Sequence, residues 1–191
     1  MNAANTLKKL GIEKTFDYIY KDPDKNMPKI MDWADKFAEG EFPTQREMIR
    51  EAITNPEHPY YNFIRHLIND VDPKVTKTLA VNFFINSALV GWKKEEELRK
   101  KYNCNIPWAI LLDPTSACNL HCTGCWAAEY GHKLNLTYDE IDDIICQGKK
   151  LGVYLYIYTG GEPLVRKRDL IRLCEKHSDC VFLCFTNATL I

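Results

Sequence analysis

The chain has 191 residues, of which 46% are hydrophobic and 27% charged, and its formal net charge is −1. That balance is ordinary for a soluble globular protein, and so near neutrality it offers no general attraction to nucleic acid or to an anionic membrane. The opening MNAANTLKKLGIEK lacks the apolar core of a secretory signal and no apolar run is long enough to span a bilayer, so a cytoplasmic protein is expected.

Residues from about 4 to 102 read as helical and carry no motif that can be attached to chemistry. Leu7, Leu10, Ile12, Phe16 and Ile19 form an irregular helical stripe that is expected to end near Asp22-Pro23, because proline cannot extend a helix past its first turn. A second helix is expected from Pro28 to Glu39, stopping at Gly40. A third is expected to open at Thr44, where Glu47 stands at capping-box spacing. Pro56, Pro59 and Pro73 punctuate two further segments. The stretch from Asp72 to Gly91 is the most apolar of this half, and burial within the helical domain is expected for Thr78 to Trp92. A place against a membrane for Thr78 to Trp92 is the less favoured reading, since Asn82 and Asn86 interrupt the apolar surface. The run KKEEELRKKY that follows reads as a solvated helix face.

The pattern changes at Pro107. Trp108 to Asp113 is an apolar run of strand length, and Thr137 with Glu140 forms a capping box. That box opens a helix bearing Ile141, Ile144, Ile145 and Leu151 and ending at Gly152. Val153 to Thr159, rich in β-branched and aromatic residues, is the clearest strand of the chain. A helix from about Arg166 to His177 and a strand from Val181 to Phe185 complete a β-α-β-α-β order, which predicts βαβ units and a parallel sheet. The fold class is therefore α/β, with a helical N-terminal domain over 1–103 and a strand-bearing domain over 104–191. Three parallel strands leave an open edge, so the chain is expected to be part of a longer protein, truncated after the third strand.

Eight cysteines in a cytoplasmic chain are expected to be thiols or metal ligands rather than disulfides. Three of them, Cys118, Cys122 and Cys125, lie in one short loop, PTSACNLHCTGCWA, directly after the first strand. Three thiolates are one short of the four that a [4Fe–4S] cube takes, which leaves one iron for a ligand from outside the protein. Ligands of parallel α/β sheets bind at the carboxyl ends of strands, where this loop falls, and a second motif, GGEPL over Gly160 to Leu164, stands at the end of the second strand.

The triplet and the GGEPL turn together resemble the radical S-adenosylmethionine (radical SAM) enzymes, and the resemblance covers residues from about 107 to 191. It implies the first half of a partial (β/α) barrel, with Cys118, Cys122 and Cys125 holding three irons of a [4Fe–4S] cluster. The fourth iron would be chelated by the methionine end of SAM. Gly160, Gly161, Glu162 and Pro163 would bind the methionine amino group, and Asn187 would either touch the cofactor or serve as a turn residue satisfying its own backbone. It further implies a one-electron donor such as flavodoxin or ferredoxin and a 5′-deoxyadenosyl radical that abstracts hydrogen from a substrate. The wording is similar to the broad group of molybdenum-cofactor, peptide-maturation and heme-modifying enzymes, and it names no substrate. The chain departs from the family in two places: Gly124 replaces the aromatic residue common before the third cysteine, with Trp126 one place after it, and Ala188 replaces a glycine after Thr186-Asn187.

Other readings stand beside these. His121 adjoins Cys122, and Cys3His is a structural zinc set, which would make the chain a zinc-stapled interaction module; His121 is expected to be a solvated neighbour. Tyr154, Tyr156 and Tyr158 share one strand face and are expected to pack under helices rather than line a substrate cavity. Arg166, Lys167 and Arg168 are expected to form a charged helix start on the surface rather than to attract a substrate carboxylate, and Cys104, Cys146, Cys174, Cys180 and Cys184 to be buried small hydrophobes.

Overall fold

The computed structural model describes residues 3–37, 43–127, 131 and 133–191. They form two compact units, Met1–Val81 and Asn82–Ile191. The expected division at 103/104 falls inside the second.

The first unit is helical: α1 (Ala3–Ile19), α2 (Pro23–Phe37), α3 (Pro43–Thr54), α4 (Tyr61–Asn69) and α5 (Pro73–Ala80). Its core is small, built on Ile19, Met27, Ile53 and Ile68 with Phe16, Tyr20, Ile30, Met31 and Ile64 against it. Pro23 opens α2, and the side chain of Asp22 accepts from the Lys25 N–H at 3.2 Å. The expected start at Pro28 is thereby corrected: a proline at the first helical position loses no hydrogen bond, so the earlier of the two prolines begins the helix. Pro43 likewise places Thr44 inside α3 rather than at its cap. Gly40 lies outside the described residues.

The second unit begins in a π-helical segment, Val81–Gly91, followed by α6 (Trp92–Tyr102). The segment is docked by the two asparagines that interrupt its apolar run. Asn82 Nδ2 donates to the carbonyls of Ser178 and Cys180, both at 2.9 Å, and Asn86 Nδ2 to that of Asp179 at 2.8 Å. From Asn82 on the segment belongs to the sheet-bearing unit, with Ile85 buried and Phe83, Phe84 and Leu89 exposed. In α6 the expectation of a solvated face fails at Glu95, which is buried with Arg99 at 3.3 Å; burial pushes its carboxyl pKa up, and Arg99 partly offsets this.

The sheet is parallel in the order β1 (Ala109–Thr115), β2 (Leu155–Gly160), β3 (Val181–Cys184), with Ala109 paired to Leu155 and Leu155 to Val181. α7 (Tyr138–Leu151) and α8 (Lys167–Lys176) form the two crossovers. The Thr137–Glu140 capping box is present in both directions: Thr137 N–H donates to the Glu140 carboxylate at 2.7 Å and Glu140 N–H to the Thr137 hydroxyl at 3.2 Å. A short 3-10 turn, Pro163–Arg166, precedes α8. Pleating sends alternate strand residues to opposite faces. One face, with Leu112, Tyr156 and Tyr158, packs under α7 and α8 against Ile141, Ile145, Leu170 and Leu173. The tyrosines thus fill the core as expected. Tyr156 donates to the carbonyls of Ile145 and Val153, and burial raises the pKa of both Tyr156 and Tyr158. The opposite face leaves Leu111 59%, Leu183 49% and Phe185 66% exposed.

Candidate active site

Because all three strands run the same way, the segments after β1, β2 and β3 meet at one edge of the sheet. The segment after β1 carries the three cysteines. Cys118, Cys122 and Cys125 line one cavity of about 130 Å³ together with Ser116, Leu120, His121, Ala127 and Gly161. Two backbone features shape the loop: Cys125 N–H donates to the Cys122 carbonyl at 3.2 Å, and Gly124 takes a left-handed φ of 74°. The Leu120 N–H points at Cys118 Sγ at 3.5 Å. His121 is exposed, as a solvated neighbour would be, and it also lines the thiol cavity.

The turn after β2 is stitched to that loop. Gly161 N–H donates to the Thr115 carbonyl at 3.0 Å and Glu162 N–H to that of Ala117 at 2.8 Å. Gly160 has φ 103°, and a Cβ there would lie 2.7 Å from the Thr115 carbonyl oxygen. A Cβ on Gly161 would lie 2.3 Å from that of Ala117. The glycine pair is therefore required by the approach of two backbones, whatever ligand the turn meets.

The Glu162 carboxylate is buried, only 1% exposed, and faces inward. Its Oε1 accepts from the Leu164 N–H at 2.9 Å and the Thr186 hydroxyl at 2.7 Å, and its Oε2 from the Asn187 N–H at 2.8 Å. Glu162 thus clamps the segment after β3 to the turn after β2. Pro163 is fully buried beside it. Asn187 continues the chain of contacts: its Nδ2 donates to Asn119 Oδ1 at 3.0 Å, while its own Oδ1 accepts from the Thr189 N–H and hydroxyl. Asn119 lies between the first two cysteines, so one network runs from the GGEP turn through Asn187 into the cysteine loop. The structure brings the three cysteines, Gly160 to Pro163 and Asn187 together.

A second cavity, about 480 Å³, adjoins the first and shares Ser116, Ala127 and Gly161 with it. Trp126, Leu134, Leu136 and Asp113 also line it. Sequence reasoning missed Asp113 and Asn119. The signal for Asp113 was available in the alternation of β1, since Ile110 and Leu112 share the helix-covered face and Asp113 must point the other way. Asn119 carried no local signal, because its partner is remote in sequence.

The remaining expected groups lie elsewhere. Arg166 is held by the carbonyls of Pro114 and Leu136 and by Asp169 at 2.7 Å, so it braces the end of β1. Lys167 donates to the Leu190 carbonyl. Of the five other cysteines only Cys180 is buried; Cys146 and Cys174 are half-buried and Cys104 and Cys184 exposed, which corrects the reading of all five as buried. Burial pushes the thiol of Cys180 up to about 12 and that of Cys174 up to about 11, so both stay protonated at neutral pH.

The family model described as the Radical SAM superfamily matches residues 112–191, from within β1 to the last residue of the chain. Over these residues the chain is similar to the radical SAM superfamily. Among curated proteins the chain is 48% identical over 61 residues to a GTP 3′,8-cyclase of Alkaliphilus oremlandii, covering 30% of the chain and 19% of the relative. It is 32% identical over 101 residues to an uncharacterised protein of Archaeoglobus fulgidus (51% of the chain, 24% of the relative). With a PqqA peptide cyclase of Bradyrhizobium diazoefficiens it shares 37% over 76 residues (39% and 20%). The matches thus span a quarter or less of each of these relatives. No solved structure matches the chain at a significant level. Among the described residues no helix is long and apolar enough to cross a membrane.

Proposed function

We propose that this chain is the cofactor-binding part of an enzyme that uses a [4Fe–4S] cluster and SAM to abstract hydrogen from its substrate. The observation that carries the reading is the convergence of Cys118, Cys122 and Cys125 on one small cavity walled by Gly161 of the GGEP turn. The donor set fits the group: three thiols with an N–H···S contact can take three irons, and the fourth iron is left to SAM. When bound, the reduced cluster supplies the electron that splits SAM into methionine and a 5′-deoxyadenosyl radical. The chain's own residues bind and orient. Gly160 and Gly161 line the adjoining cavity together with Trp126, and Glu162 and Asn187 hold three loops in register. A small one-electron donor such as flavodoxin or ferredoxin would serve as partner. The matches cover only 19% of the GTP 3′,8-cyclase and 20% of the PqqA peptide cyclase, so neither substrate transfers to this chain.

A second reading rests on His121, which lines the same cavity and could complete a Cys3His zinc site in an interaction module without catalysis. One experiment separates the two: anaerobic reconstitution of the full-length protein with iron and sulfide, followed by metal analysis and EPR of the reduced sample with and without SAM. About four irons per chain are expected, lost when Cys118, Cys122 and Cys125 are changed to alanine, with an EPR signal that SAM alters. Stoichiometric zinc and no SAM-sensitive signal would overturn the enzyme reading.

A further inference from the structure

We propose that Asp113, and not Glu162, is the carboxylate that receives the protonated amine of the molecule bound over the Gly160–Gly161 turn. The inference rests on the reading above that this molecule is SAM, whose methionine end carries the amine.

The two acids differ in availability. Glu162 is buried and its two oxygens already accept three hydrogen bonds from the chain itself. Glu162 lines neither of the two cavities, so an ammonium held in one of them does not meet its carboxylate. Asp113 stands on the exposed face of β1, and its carboxylate has no hydrogen bond or ion pair among the described residues. Its side chain lies across Gly160: a Cβ on that glycine would come 2.9 Å from Asp113 Cβ and 3.0 Å from its Cγ. It is the one ionisable side chain among the described residues that line the 480 Å³ cavity, whose other walls include Trp126, Leu134 and Leu136. An unneutralised carboxylate in a largely apolar cavity is complementary to a cation, and a charge-assisted hydrogen bond there is stronger than one between neutral groups. The three wall residues shared with the thiol cavity keep that cation beside the cluster ligands.

The test is anaerobic calorimetry on the reconstituted full-length protein with three probes. SAM and S-adenosylhomocysteine carry the amine; 5′-methylthioadenosine keeps the nucleoside and lacks it. Asp113→Asn is expected to weaken SAM and S-adenosylhomocysteine by roughly 10-fold or more while changing 5′-methylthioadenosine little, at unchanged iron content and Tm. Asp113→Glu, which keeps the charge, should recover part of the loss. Glu162→Gln should instead lower Tm and weaken all three probes alike, because it acts through the loops. Unchanged SAM affinity in Asp113→Asn, or an equal loss for all three probes, overturns the proposal. Wild-type protein that binds SAM while Asp113→Asn does so equally well removes this inference alone. Wild-type protein with a full complement of iron and no SAM affinity removes the functional reading along with it.

Discussion

The same three strands present one sealed face and one open face. Under α7 and α8, Tyr156, Ile145 and Leu173 are shut off from solvent. On the other side Leu111, Leu183 and Phe185 are exposed, and Asp113 stands at the cavity mouth. Pleating puts both surfaces on one backbone, so stability and chemistry occupy alternate residues of a single strand. The lesson is that neighbours in sequence here answer to different constraints: Leu112 to packing, Asp113 to whatever occupies the cavity.

The largest expected effect lies on the sealed face. Ile145→Ala, which opens a cavity under the sheet, should cost about 2–5 kcal/mol, read as a drop in the urea midpoint at unchanged slope. A loss under 1 kcal/mol would mean that the helices do not seal this face.

Gly161→Ala strikes the seam between the faces. Its new Cβ would fall 2.3 Å from the Ala117 carbonyl oxygen, so the turn and the cysteine loop must separate. Iron bound per chain should fall by half or more while Tm drops only a few degrees, as metal analysis and calorimetry would read; an alanine variant with full iron content would show the seam to be dispensable.

A smaller, pH-dependent effect is expected at Asp142 of α7, whose carboxylate takes Lys176 Nζ and His177 Nε2 at 2.8 and 2.9 Å. The hydrogen bond from Lys176 above all, with that from His177, holds its pKa below the usual carboxylate range, against a desolvation that raises it. A depressed folded-state pKa gives stability that is fully present above the unfolded value, near 3.9, and is lost as the pH falls through the folded value. Asp142→Ala should therefore cost about 1–3 kcal/mol at pH 7, with His177 left buried and unpaired. The gap from wild type should close below about pH 4 as the wild-type carboxylate itself protonates. A gap independent of pH in parallel thermal melts would assign the cost to packing alone.

The smallest effect belongs to the open face: Leu183→Ser should change stability by no more than about 0.5 kcal/mol. A larger loss would show that something covers this face in solution.

Much of the fold was legible because its signals are local. The Thr137–Glu140 capping box and the run over Val153 to Thr159 each declared an element within a few residues, and both appear within two residues of their expected limits. The N-terminal helices were legible as helices but not in their starts. A proline reads equally as the end of one helix or the first turn of the next, and at Pro23 and Pro43 it is the latter. The KKEEELRKKY run misled at Glu95, since burial of one member of a charged run depends on what packs against it. Four of the five non-triplet cysteines, all but the buried Cys180, misled for the same reason.

Sequence alone determined the β-α-β-α-β order, the spacing of three thiols in one loop and the position of a glycine pair at a strand end, because each is a relation between residues close along the chain. Only the tertiary structure decided that Glu162 turns inward to clamp Thr186 and Asn187, that Asn119 and Asn187 tie two loops together, and that Asp113 is the carboxylate left facing the cavity. Those assignments depend on which donors reach a carboxylate first, and parallel strands bring such donors together from segments that the sequence keeps far apart.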